Sequence, residues 1–213
     1  MPNKVLLTGF EPFGGESINP SWLAVKALHG RQVLRHTVVA AQLPTVFDAS
    51  LRELQALLHQ HRPALVICVG QAGGRAPLSL ERVAINVNDA PIADNAGAQP
   101  VDTPVQAGAP AAYFTTLPIK AMLGMLREEG VAAEVSQTAG TFVCNHVFYG
   151  LMHALATQPD LGHARGGFIH VPWLPEQGTP SMPLDDIVRG LRTAVRSALR
   201  VQHDHALGAG ATN

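Results

Sequence analysis

Residues Ala64-Leu65-Val66-Ile67-Cys68-Val69 form an unbroken apolar run closed by Gly70. Such a run is too short for an ordinary helix and has no polar side to turn to water. As a strand it must lie inside a sheet covered on both faces. The rest of the chain supplies the covers. Strand-like stretches recur at Lys4 to Thr8, Val33 to Leu43, Arg82 to Val87, Val131 to Gln137 and Gly167 to Val171. Between them lie helical stretches at Pro20 to Leu28, Val46 to His61, Pro118 to Glu129, Cys144 to Ala156 and Leu184 to Val201. Leu51, Leu54, Leu57 and Leu58 keep helical spacing, Asn19 is placed to cap one helix, and Pro118 suits the first turn of another. This alternation predicts an α/β fold: an open, twisted, mostly parallel sheet with helices on both faces. From Asn88 to Pro110 the pattern stops. A loop of that length in a compact domain is often functional.

Composition narrows the function. Of 213 residues 46 % are apolar and only 15 % are charged, and the formal net charge is −1. There is no basic field to draw nucleic acid or an anionic membrane. No apolar run is long enough to span a bilayer, and the first ten residues lack the pattern of a secretory leader. The expectation is a cytoplasmic protein whose two cysteines, Cys68 and Cys144, are free thiols.

Ligands of open α/β sheets gather where strands give way to helices, and three such turns carry chemistry. The first, Thr8-Gly9-Phe10-Glu11-Pro12-Phe13-Gly14-Gly15, has glycines without the spacing of a phosphate loop. Its phenylalanines suit a small, flat, mostly apolar ligand, or simply pack the loop. The second, Gly70 to Arg75, permits close backbone approach. The third leads from Thr138 to Cys144 near a helix start, where backbone N–H groups favour a thiolate and could hold an oxyanion. Cys68, inside the apolar strand, reads as an inert core thiol. A cysteine nucleophile needs a base and a group to orient it. His146 and His153 are near in sequence. His170 stands in the apolar strand Phe168 to Val171, where a polar side chain needs a partner or a function. Glu81 precedes the stretch from Arg82 and could be the acid or half of an ordinary Glu–Arg pair.

Taken together these segments resemble the pyroglutamyl peptidase I family, also called pyrrolidone carboxyl peptidases. The matching stretches are Leu6 to Gly15 with Asn19 to Trp22, Val69 to Arg75, Glu81 to Asn86, Ala139 to His146 and Gly166 to Pro172. They lie in register from about Lys4 to Ile187. The length of the chain suits a single domain, read here as a peptidase domain over residues 1–201, and the small, polar residues of 202–213 read as a flexible tail. The resemblance implies a three-layer α/β/α sandwich. It implies a Cys–His–Glu triad of Cys144, His170 and Glu81, and an apolar ring pocket made by Phe10, Phe13, Phe142 and Val143, with Asn19 and Gln71 nearby. It further implies a homotetramer, no metal or organic cofactor, and peptides with an N-terminal pyroglutamate as substrates. One departure stands out: Pro91 occupies a position where bacterial members usually carry Arg. Arg75, at the same sheet edge, is a candidate to replace that donor. Two rival readings are a nucleotide enzyme on a similar sheet and a catalytically silent binding protein on the same fold.

Overall fold

The structure is a computed structural model that describes residues 3–210. In chain order its elements are β1 (Lys4–Phe10), α1 (Pro20–Ala27), β2 (Gln32–Val33), β3 (His36–Leu43), α2 (Ala49–His61), β4 (Leu65–Gln71), β5 (Leu78–Glu81), β6 (Val83–Ile85), β7 (Ala112–Phe114), α3 (Ile119–Glu128), β8 (Ala133–Ser136), α4 (Val143–Thr157), β9 (Arg165–Val171) and α5 (Leu184–Arg200). Seven strands form the main sheet in the order β2-β3-β1-β4-β9-β5-β8.

β4 is central, as its composition demands. Its side chains alternate between two apolar clusters. Leu65, Ile67 and Val69 face α1, α3 and α5, whereas Val66 and Cys68 face α2 and α4. Three layers result. Each fully buried leucine of these clusters contributes about 2 kcal/mol by leaving water, so the sheet is a firm platform for whatever stands on it.

β3, β1, β4 and β9 run parallel. β5 is antiparallel to β9 and parallel to β8, so this pair runs against the other four. The carboxyl end of β8 is therefore not at the carboxyl edge of β4 and β9. The chain reaches α4 through the loop at 137–142 rather than through a tight strand–helix turn.

Two predicted strands are divided. The run from Val33 to Leu43 folds as a hairpin of β2 and β3, because Leu34 and Arg35 both adopt positive φ, at 46° and 66°. That is the geometry of a tight hairpin turn. Neither residue is Gly or Asn, so the sequence carried no turn signal. The run from Arg82 to Val87 is also different: the main-sheet strand is β5, which ends at Glu81. β6 leaves the sheet and pairs with β7 as a separate two-stranded ribbon.

Asn19 caps α1 as expected, its Oδ1 accepting from the Ser21 N–H at 3.1 Å. Beyond α5, residues 202–210 form no helix or strand and lie back against α3. Pro118 stands at the N-terminus of α3 and has no side-chain hydrogen bond to offer. Asp204 supplies one instead, accepting from the Lys120 and Ala121 N–H groups. The end of the expected tail, 211–213, lies outside the described residues, as do residues 1–2 of the expected domain.

Candidate active site

Gly70 stands near the end of β4 on the face covered by α4. A Cβ at this position would sit 2.7 Å from the Cys144 Sγ and 2.8 Å from the Phe168 ring. The missing side chain is thus the space that the sulfur occupies. In the sheet register Gly70 is paired with His170 on the adjacent strand, which sets the imidazole beside the thiol. The His170 Nδ1 lies 2.7 Å from the Glu81 Oε1. Glu81 ends β5 and is wholly buried, and His170 is buried as well. Cys144, His170 and Glu81, three residues dispersed over the sequence, are therefore brought together on one face of the sheet. With Nδ1 held by the carboxylate, Nε2 is the ring nitrogen left for proton transfer.

The thiol does not carry the shift expected of a helix start. Burial pushes Cys144 up to about 12, the Glu81 charge adds to this, and Arg75 pulls the other way. The residue keeps partial solvent exposure. The resting sulfur is a thiol, and a base must take its proton as it attacks. Cys68 is also pushed up to about 12 by burial, and it is fully enclosed in the core.

His146 is occupied elsewhere. Its Nε2 accepts from the Asp48 N–H at 3.1 Å, and its Nδ1 pairs with the Asn88 Oδ1 at 2.9 Å. Burial lowers its pKa to about 4, so the ring is neutral. It joins α4 to the start of α2 and to the loop after β6. His153 bonds the Tyr113 hydroxyl, away from the sulfur. Asn145 does similar structural work: its side chain bonds the backbone of Ile85 and Val87.

The remaining predicted site residues fall into two groups. Phe13 and Phe142 are half-buried and in contact, with ring centroids 6.1 Å apart. Phe47 meets Phe142 edge-on at 5.5 Å, a wall member that the sequence did not reveal. Gln71, at the end of β4, accepts from the Gln177 amide at 3.2 Å. Phe10 and Val143, by contrast, are core residues, at 2 % and 1 % exposure, and Phe10 leans on Phe168. Asn19 spends its amide within the protein, on Ser21 and on the Glu11 carbonyl. It fixes the segment that presents Phe13.

The long loop after β6 is sutured at both sides of this wall. Asp89 exchanges hydrogen bonds with Thr141, just before Phe142. Asn95 donates to Glu11 and Pro12, just before Phe13. Asp94 accepts from the Phe47, Ala96 and Ala98 N–H groups. Pro91 is exposed within the span so held. Arg75 does not substitute for an arginine there. Its Nη1 donates to the Glu81 Oε1 at 2.8 Å and its Nη2 to the Thr138 carbonyl at 3.2 Å, so it stands behind the triad.

No side chain among the described residues caps α4. The amides of its first turn are left to stabilise negative charge next to the sulfur. If Gly70 makes room for that sulfur, Gly70→Ala should misplace it. The expected result is a roughly 100-fold fall in kcat/KM from a displacement of about 1 Å. Stability should fall by only about 1–3 kcal/mol, as in other overpacked cores. Steady-state rates and urea unfolding measure the two effects, and a Gly70→Ala enzyme with normal kcat/KM would contradict this placement.

An α/β sandwich that sets a thiol, an imidazole and a buried carboxylate on one sheet face defines a cysteine-type hydrolase. Comparison with known proteins makes this particular. The sequence profile of the family described as pyroglutamyl peptidase matches residues 3–201, and the chain belongs to that family. It is 63 % identical over 205 residues to the pyrrolidone-carboxylate peptidase of Cupriavidus necator, covering 94 % of each chain. It is 56 % identical over 214 residues to that of Klebsiella pneumoniae, covering 98 % of this chain and 99 % of the other. The crystal structure of pyroglutamyl peptidase I from Bacillus amyloliquefaciens superimposes with a TM-score of 0.95 at 50 % identity, covering 98 % of this chain and 100 % of that one.

Proposed function

We propose that the protein hydrolyses the bond after an N-terminal pyroglutamyl residue, with Cys144 as nucleophile, His170 as acid–base and Glu81 as the group that orients it. The observation that carries this reading is the Cys144 sulfur seated over Gly70, beside an imidazole whose other nitrogen is held by a buried carboxylate. As Cys144 attacks the carbonyl, the His170 Nε2 takes the thiol proton and the S–C bond forms. Amides at the start of α4 stabilise the oxyanion. The C–N bond then breaks, and His170 returns the proton to the departing amine. Water, deprotonated by His170, splits the thioester, releases 5-oxoproline and restores the thiol. Throughout, Glu81 holds the imidazole and balances its charge while it is protonated.

Substrate choice follows from the wall. Phe13 and Phe142, backed by Phe47, are suited to a flat lactam without charge. Gln71, its oxygen already accepting from Gln177, keeps an N–H for the lactam carbonyl. Phe10 and Val143 back this pocket from the core, and Asn19 acts through the segment that carries Phe13. Among the described residues no helix is long and apolar enough to cross a membrane. Residence in the cytoplasm and assembly as a homotetramer complete the proposal.

A pyroglutamyl amide should be cleaved at least ~1,000-fold faster, in kcat/KM, than the matching prolyl amide. Proline lacks the lactam carbonyl and brings an ammonium against aromatic walls, and a polar group left unpaired in a site costs several orders of magnitude. Comparable rates on the two amides would refute the lactam pocket, and no turnover of either would leave only a silent binding protein.

A further inference from the structure

Glu81 is sealed from water, and a carboxylate so placed keeps its charge only if a cation and hydrogen-bond donors face it. Three titratable groups do: His170 from β9, Arg75 from the turn between β4 and β5, and the Cys144 thiol from α4. From β8 only the neutral Ser136 takes part, through Arg75. Both His170 and Arg75 address the same oxygen, Oε1. The other, Oε2, has no hydrogen-bond partner among the described residues. Of the groups facing it, only Arg75 carries a positive charge that does not depend on the pH of the reaction. Thiol and hydroxyl carry no charge. Arg75 is left as the cation.

Arg75 has a second attachment. Its Nη2 donates to the Thr138 carbonyl, and Thr138 opens the loop that delivers Phe142 and Cys144. One planar fork therefore grips both the carboxylate behind the base and the segment that carries the nucleophile. An ammonium on a flexible stem is a single point and could not serve both with the same geometry.

We infer that Arg75 is a positioning residue of the reaction, keeping Glu81 ionised behind His170 while its second arm fixes the loop that sets Cys144. The inference rests on the triad reading given above. Removing a fixed positive charge from beside the carboxylate–imidazole pair favours its protonated, inactive form. The loss of activity therefore shows first on the acid side.

The test is the pH profile of kcat/KM on a pyroglutamyl amide for wild type, Arg75→Gln, Arg75→Lys and Glu81→Gln, with thermal unfolding of each. Arg75→Gln should move the acid limb up by about one pH unit, the usual scale of a single facing charge, and lower kcat/KM at pH 7 about 30-fold. Arg75→Lys should restore the limb but not the full rate. Thermal destabilisation with an unmoved limb in Arg75→Gln would reduce Arg75 to a structural contact and overturn the inference. Should the Gln variant fail to fold, the Lys variant decides: a lowered rate with a wild-type limb supports the forked role, and a wild-type rate overturns it. A Glu81→Gln enzyme with full activity would instead sink the triad reading, and the inference with it.

Discussion

Cys144→Ser should lose at least ~10⁴-fold in kcat on a pyroglutamyl amide while unfolding at the same temperature as wild type. A hydroxyl is a far weaker nucleophile than a thiol deprotonated as it attacks, and loss of one member of a catalytic unit costs nearly as much as loss of the whole. The change removes no packing of consequence, because sulfur and oxygen occupy the same gap over Gly70. Cys68→Ser is the control. Cys68 is enclosed in the core with its thiol pushed up to about 12, so it is inert chemically. Its replacement puts a hydroxyl beside the buried Thr8 Oγ1, which can pair with it, so the cost in stability should stay within about 1 kcal/mol, with kcat near wild type. The same contrast should appear with a thiol alkylator: loss of activity should follow modification of Cys144. Retained turnover in Cys144→Ser would end the proposed mechanism.

His170→Ala should cost about 10³–10⁴-fold in kcat, the upper part of the range usual for a general acid–base. Burial keeps the proton on the sulfur, so the attack depends on an acceptor for it. Glu81→Gln should cost less, since an amide oxygen can still accept from the Nδ1–H and keep the ring oriented. His146→Ala should behave in the opposite way. That ring is neutral, with both nitrogens engaged by Asp48 and Asn88. Its removal leaves buried groups without partners and should lower stability by about 2–3 kcal/mol, with kcat nearly unchanged in the folded enzyme. Rates and urea midpoints for the two variants separate catalyst from scaffold. A dead His146→Ala beside a normal His170→Ala would reverse the assignment.

How much of this was legible in the sequence depends on the kind of signal. The apolar run from Ala64 to Val69 required a doubly covered strand, and β4 is that strand. The stripe of leucines in α2 and the Asn19 cap of α1 were equally plain, because local periodicity and local hydrogen bonds do not depend on the rest of the fold. β5 was missed: Leu78-Ser79-Leu80-Glu81 is four residues long, and its alternation is too brief to read. The turn at Leu34 and Arg35 was missed because residues without a turn preference were forced into left-handed backbone by the pairing around them. Within the site, Cys144 and His170 each looked unusual in place, a thiol near a helix start and an imidazole in an apolar strand. Glu81 did not, and only the antiparallel placement of β5 beside β9 gives it meaning. The thiol was only half legible: a helix start argues for a lowered pKa, whereas burial and the facing carboxylate push it up. Phe47 and the double role of Arg75 had no local signature, since both arise from contacts between distant segments.

Acylation of Cys144 by the pyroglutamyl group can be observed directly. An activated pyroglutamyl ester, mixed with the enzyme and quenched in acid within milliseconds, should leave a thioester that is found by mass spectrometry of the digested chain. One pyroglutamyl group is expected on the peptide containing Cys144 and none on that containing Cys68. Product formed in the same interval with Cys144 unmodified, or with the acyl group on another residue, would contradict it.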